Sequence, residues 1–242
     1  MSKKVISLEK RQREYERNHK HVSGVPVIAR LDGKSFHTLT KKISAHKPFD
    51  RDLIDSMVGA AIIVCKSIQG FKVAYIQSDE VSIVLSDYDT ISTQGWFDFR
   101  IDKIESILSS VMAVEFSKML SLKKGRDISA YFACKSFNIP ESDVANNLLW
   151  RAIDWKRNSL SMYSRSFFSN KQLHGKKSED MHQMLHEVGK NWATDLKDDE
   201  KNGTFLVNID GKIEVLKNIL PTYDSISKII PKFVKEDSED AC

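Results

Sequence analysis

The order in which apolar periods alternate over residues 25–137 constrains this chain more than any other feature. Val25-Pro26-Val27-Ile28-Ala29-Arg30-Leu31 is a short apolar run ending at Asp32-Gly33, which predicts a buried strand with a sharp exit. Leu53, Ile54, Met57, Val58, Ala61, Ile62 and Cys65 recur at helical spacing over 50–68, with Gly70 as a stop signal. Two strand-like runs come next, Lys72–Gln77 and Val81–Leu85, joined by Ser78-Asp79-Glu80 as a hairpin tip. Ile101, Ile104, Leu108, Val111, Met112 and Phe116 mark a second amphipathic helix over 96–119, and 128–137 reads as a further strand. The expected fold class is therefore α+β, with the ferredoxin-like split βαββαβ order.

The rest of the chain has a different texture. Residues 3–20 are charged helix formers and predict a surface helix, with a solvated face preferred over an RNA contact. Residues 141 to about 168 read as helix. The remainder is mixed and polar, with a strand candidate at Gly203–Val207 and an acidic tail from Lys235 to Cys242. We expect a catalytic core over 1–137 and a helical and mixed extension over 138–242.

Strand order gives the acids their meaning. A helix returns the chain between the first and second strands, so these strands run the same way. The hairpin tip then lies at the sheet end where the first strand exits. Asp32 at the exit and Asp79 and Glu80 at the tip converge there. Two carboxylates with a nearby carbonyl suit Mg²⁺, which takes oxygen ligands and keeps several waters. Each aspartate alone also suits an ordinary turn; their joint placement favours the metal. Glu80 is open among ligand, support for the ligands and turn residue.

Phosphate-binding candidates are expected nearby. Gly33-Lys34-Ser35-Phe36-His37 can aim backbone N–H groups at an anion, although it lacks the second glycine of a Walker A loop. Arg100 and Lys103 share a helix face at an N-terminal end, and Lys47 precedes Pro48 in a loop; for all three a solvated charge is the alternative. In the second half Lys156, Arg157, Asn158, Arg165, Lys171, His174, Lys176 and Lys177 are RNA-contact candidates beside Trp155, Tyr163, Phe167 and Phe168. A helix with an aromatic core face is the alternative. His182 and His186 lack the glutamate of a zinc protease motif.

Composition adds exclusions. The net charge of +4 and pI near 8.8 are compatible with an RNA or nucleotide partner. Cys65, Cys134 and Cys242 are few and far apart, which argues against a disulfide framework or a structural zinc site. No run approaches the roughly 20 apolar residues of a membrane span, so no membrane partner and a cytoplasmic location are expected.

These motifs resemble a known family. Arg30-Leu31-Asp32-Gly33-Lys34-Ser35-Phe36-His37, Lys47-Pro48-Phe49-Asp50, Gln77-Ser78-Asp79-Glu80-Val81-Ser82 and Trp96-Phe97 through Lys103 resemble successive signatures of the tRNA-His guanylyltransferase family. The likeness continues through Trp150-Arg151 and Asp154 and past Gly203. It implies a polymerase-like palm that extends RNA at the 5′ end, in the 3′-to-5′ direction, after activation with ATP or GTP. It implies two Mg²⁺ ions held by Asp32, the Gly33 carbonyl and Asp79, with Glu80 beside them. It implies nucleotide contacts from Gly33 to His37 and from Ser78, phosphate contacts from Lys47, Arg100 and Lys103, support from Arg30 and Asp50, and a homotetramer.

Two departures from the family pattern refine that expectation. Where tRNA-His enzymes carry His-Ile-Asn-Asn, this chain has Lys156-Arg157-Asn158-Ser159, and Ala133 and Lys135 replace an Asp and an Arg. The first resembles the bacterial and archaeal guanylyltransferase-like branch, which implies template-directed repair of 5′-truncated tRNA with various nucleoside triphosphates. A tRNA-His-specific enzyme, a nucleotide cyclase on a similar palm and a non-catalytic RNA-binding module are the rival readings.

Overall fold

A computed structural model of the chain describes residues 7–13, 15–16, 18–90 and 93–233. The acidic tail from 235 to 242 lies outside these residues, as do residues 3–6, 14 and 17 of the expected N-terminal helix; what is helical within them is α1, Leu8–Arg13. The elements then run β1 Val27–Gly33, α2 Phe36–Lys42, α3 Arg51–Lys66, β2 Phe71–Gln77, β3 Glu80–Leu85, α4 Ile101–Lys124, β4 Phe132–Asn138 and α5 Glu141–Ser164. Four short helices come after α5, namely α6 Asn170–Leu173, α7 Ser178–Glu187, α8 Trp192–Asp195 and α9 Asp198–Asn202, and then β5 Thr204–Ile209, β6 Lys212–Leu216 and α10 Tyr223–Ile229.

The six strands form one antiparallel sheet in the order β4-β1-β3-β2-β5-β6. Alternation within each strand sends side chains to two cores. Val27, Ala29 and Leu31 of β1, with Val81, Ile83 and Leu85 of β3, pack under α3 and α4. Ile28, Val73, Tyr75 and Val84 pack under α5 and α10. Both faces are covered, so the central strands read as continuous apolar runs. Arg30 and Asp32 succeed Ile28 at period two and therefore emerge on the α5 face.

Local chemistry sets the element ends. Asp50 caps α3 by accepting from the amides of Asp52 (3.0 Å) and Leu53 (3.3 Å). Gly70 is needed at the entry to β2, where φ is 75° and a Cβ would collide with the Ser86 carbonyl oxygen. The strand expected from 128 begins only at Phe132. The amides of Ile128 and Ala130 donate instead to the hydroxyls of Ser121 and Ser117 on α4, both at 2.9 Å, so this stretch tracks the helix before joining the ladder.

Beyond the end of the sheet, the last turns of α5 rest on a satellite core in which Leu160 and Tyr163 meet Met181, Leu185 and Trp192. Among the described residues no helix is long and apolar enough to cross a membrane.

Candidate active site

Asp32 pairs with Glu80 of β3 on one side and with Ala133 of β4 on the other, at the end of both ladders. The β2–β3 hairpin turns on Ser78 and Asp79, since Gln77 and Glu80 are paired. The Gly33 amide donates to the Asp79 carbonyl at 3.1 Å. A Cβ on Gly33 would lie 2.9 Å from that of Asp79 and inside the Phe36 ring, so glycine is what permits the approach. The two aspartates expected to converge do so.

Electrostatics at the tip favour a cation. Burial pushes the Asp79 carboxyl above its usual range; hydrogen bonds, including one from the Ser78 hydroxyl at 2.9 Å, oppose this, and the charges of Asp32 and Glu80 add to it. Glu80 is differently placed. Its two oxygens accept from Nε and Nη2 of Arg151, each at 2.7 Å, and Arg30 Nε lies 3.7 Å away. Arg30 also reaches Asn147 Oδ1 at 3.1 Å and lies over the Trp150 ring, 5.1 Å from its centroid. Two free carboxylates with backbone carbonyls form a hard oxygen donor set that fits Mg²⁺. Among the described residues, no group of three or more His, Cys, Asp or Glu side chains is arranged to hold a metal ion, so further ligands would be backbone, water or substrate oxygens.

The acids open onto a cleft of about 400 Å³. Its opposite wall is a stripe of α5, Arg151, Trp155, Asn158, Met162 and Arg165, at helical spacing with Ser161 beside it. The indole Nε1 of Trp155 is buried and has no hydrogen-bond partner among the described residues. Arg165 and Trp155 as cleft residues were missed in the sequence, where their spacing from Arg151 was the available signal.

The other expected residues divide. Lys34, Ser35 and His37 are exposed at the exit of β1, with Ser35 in the left-handed region at φ 57° and the Lys34 amide bound to the Tyr131 carbonyl at 2.8 Å. Phe36 turns inward, its ring 5.4 Å from Phe116 and 5.3 Å from Phe132. Lys47 is exposed near the cleft, since Phe49 meets the Trp155 ring at 6.1 Å. Asp50 is buried as a helix cap and binds Lys124 Nζ at 3.0 Å.

Arg100 and Lys103 correct the expectation that they lie beside the acids. Phe99 accepts from the His21 amide, Val22 binds Asn138, and Asn138 pairs with Val27 at the start of β1. Both basic residues thus stand at the opposite end of the sheet from Asp32. The cause is the length of α4: its 24 residues span about 36 Å, and its far end is the one that leads to β4 beside Gly33.

In the second half Asn158 lines the cleft, while Arg157 binds Asp154 at 2.5 Å and Lys156 lies 5.9 Å from the Trp192 ring centroid. His174 and Lys176 are exposed between α6 and α7.

The fold is shared with known proteins. A bacterial tRNA(His) guanylyltransferase-like protein in complex with ATP superposes with a TM-score of 0.82 at 34% identity, covering 87% of this chain and 92% of that one. A second structure of that description, in complex with GTP, gives 0.75 at 30% identity, covering 92% and 95%. A probable tRNA(His) guanylyltransferase of Drosophila melanogaster is 27% identical over 158 residues, 64% of this chain. The match spans about half the length of such curated relatives, 52% for the fly protein and 54% for that of Dictyostelium discoideum. Residues 9–140 match the family model described as tRNAHis guanylyltransferase, and the chain belongs to that family.

Proposed function

We propose that this chain is a Mg²⁺-dependent nucleotidyltransferase that adds nucleotides to the 5′ end of tRNA in the 3′-to-5′ direction, in template-directed repair of truncated 5′ ends. The observation that carries this reading is the convergence of Asp32 and Asp79 at one sheet end, facing a cleft walled by a helix with polar and basic side chains. Likeness to bacterial proteins in complex with ATP and with GTP supports nucleotide use. In this reading β4-β1-β3-β2, with α3 and α4 on one face, is a ferredoxin-like palm, and the later part of the chain serves RNA binding and assembly as a homotetramer.

Asp32, Asp79 and the Gly33 carbonyl would hold two Mg²⁺ ions. When bound, the metal neutralises phosphate charge and lowers the pKa of an attacking hydroxyl. The chain's own residues provide the positioning. The Gly33 and Lys34 amides are bound within the protein, so the amides of Ser35, Phe36 and His37, at the start of α2, are those left to meet a phosphate. The Arg151–Glu80 fork fixes the hairpin tip against α5 and neutralises the third carboxylate, leaving Asp32 and Asp79 as the free pair.

The test is incubation with Mg²⁺, a 5′-truncated tRNA transcript and each nucleoside triphosphate in turn, with sequencing of the extended ends. Template-matched extension is expected. The names of the curated relatives favour a second reading, addition of one G to tRNA-His. A single untemplated G on tRNA-His alone would establish that reading instead.

A further inference from the structure

Charge accounting across the cleft leaves one residue unexplained. Three carboxylates line it, from Asp32, Asp79 and Glu80, and two guanidiniums, from Arg151 and Arg165. Arg151 is taken up by Glu80 in a two-pronged ion pair and by Asp154 at 3.4 Å. Arg165 is exposed, and among the described residues its side chain makes no ion pair, hydrogen bond or ring contact. Seven residues before it on the same stripe, about 10 Å along the helix, stands Asn158, with the Ser161 hydroxyl between them. Trp155, 4% exposed, packs behind this stripe, its indole N–H buried and without a hydrogen-bond partner among the described residues.

We infer that the last turns of α5 form a phosphate-binding wall for the RNA acceptor strand, with Arg165 as its unpaired cation and Asn158 and Ser161 as neutral donors along the same stripe. This rests on the reading that the cleft acts on RNA. The free aspartates repel an anion, so a phosphate entering here needs a cation that is not already paired, and Arg165 supplies it. The position of Arg165 selects RNA over the nucleoside triphosphate. It lies 14 residues beyond Arg151, about 21 Å along α5, at the C-terminal end of the stripe that walls the cleft. A strand that passes the acids and continues outward reaches it; a compact triphosphate seated at the Gly33–His37 loop does not.

The experiment measures binding without chemistry. A fluorescent 5′-phosphorylated tRNA transcript is titrated with the full chain and with Arg165→Ala and Arg165→Lys in EDTA, at several salt concentrations, and ATP is titrated separately with Mg²⁺. Arg165→Ala is expected to weaken RNA binding roughly tenfold, the scale of one charge-assisted hydrogen bond. The slope of log K against log salt should fall by about 0.7–0.9, one phosphate contact fewer. Arg165→Lys should restore the slope, and ATP affinity should stay unchanged. Unchanged RNA affinity and slope in Arg165→Ala, with an unchanged thermal midpoint, would overturn the inference. So would a loss confined to ATP. Because nothing is turned over, a chain that fails to extend tRNA but shows the slope change refutes the proposed reaction and leaves the RNA wall standing.

Discussion

Arg151 grips both carboxylate oxygens of Glu80 at 2.7 Å, joining the helix that walls the cleft to the residue next to Asp79. Both side chains are only 13% exposed, so neither charge has water to fall back on. Arg151→Met strands a carboxylate beside two others and is expected to cost about 3 kcal/mol in urea unfolding. The double change Arg151→Met with Glu80→Leu should recover part of that loss, since the stranded carboxylate is gone while the buried Arg30 loses its acidic neighbour.

Asp32→Ala and Asp79→Ala should abolish nucleotide transfer while leaving the fold intact. Asp79 is raised by burial and by its acidic neighbours, so the native state does not gain from its charge. Asp79→Asn should therefore unfold at a temperature no lower than that of the parent in metal-free buffer. Activity surviving in both alanine variants would remove these acids from the mechanism.

Acid stability is expected to depend on Asp50 and Asp199. Burial alone would raise both carboxyls, but it is outweighed by the His46 amide and Lys124 at Asp50, and by Arg51 and Lys217 at Asp199. Both end below the ordinary carboxylate range. A depressed folded-state value means the native protein prefers the anion. The stabilisation is complete above the ordinary value, about 3.9, and is lost as pH falls below it toward the depressed one. Unfolding free energy measured from pH 6 to 2 should drop in that window, and Asp199→Asn should flatten the drop.

Gly203 tests how the later strands are seated. Its φ is 76° and ψ −167°, and a Cβ there would lie 2.6 Å from Tyr75 Oη and 2.7 Å from the Ile76 carbonyl. Gly203→Ala is expected to destabilise by about 1–3 kcal/mol from backbone strain alone, read as a lower urea midpoint.

Much of this was legible in the sequence because the elements carry their own periods. The runs at 25–31, 72–77 and 81–85 became β1, β2 and β3, and the parallel course of β1 and β2 followed from a helical return between them, which the short α2 precedes and α3 completes. That was enough to bring Asp32 and Asp79 together. Distances along helices were not legible: the basic pair Arg100 and Lys103 resembled phosphate ligands by motif, but a seven-turn helix carries them away from the acids within the chain. The β6 strand was missed because it is a short edge strand of five residues in which Lys212, Glu214 and Val215 are exposed and only Ile213 and Leu216 are half-buried. Its signal was Asp210-Gly211, both with positive φ, a hairpin turn placed directly after the recognised β5 run. The basic cluster of the second half, Arg165 included, is visible in composition, but which of its members line the cleft depends on the helical face that α5 turns to the acids.

The seat of β5 on β2 has a consequence for how the protein is made. β2 is buried along its whole length, and its outer partner, β5, comes late in the chain. Until Thr204–Ile209 is synthesised, Phe71–Gln77 offers an open row of amides and carbonyls to any passing strand. A truncated chain ending at Asn138 should therefore self-associate, visible as sedimentation above the monomer and thioflavin binding, whereas the full chain should not. The second half thus acts as a built-in chaperone for the first, capping an adhesive edge that the catalytic strands cannot hide by themselves.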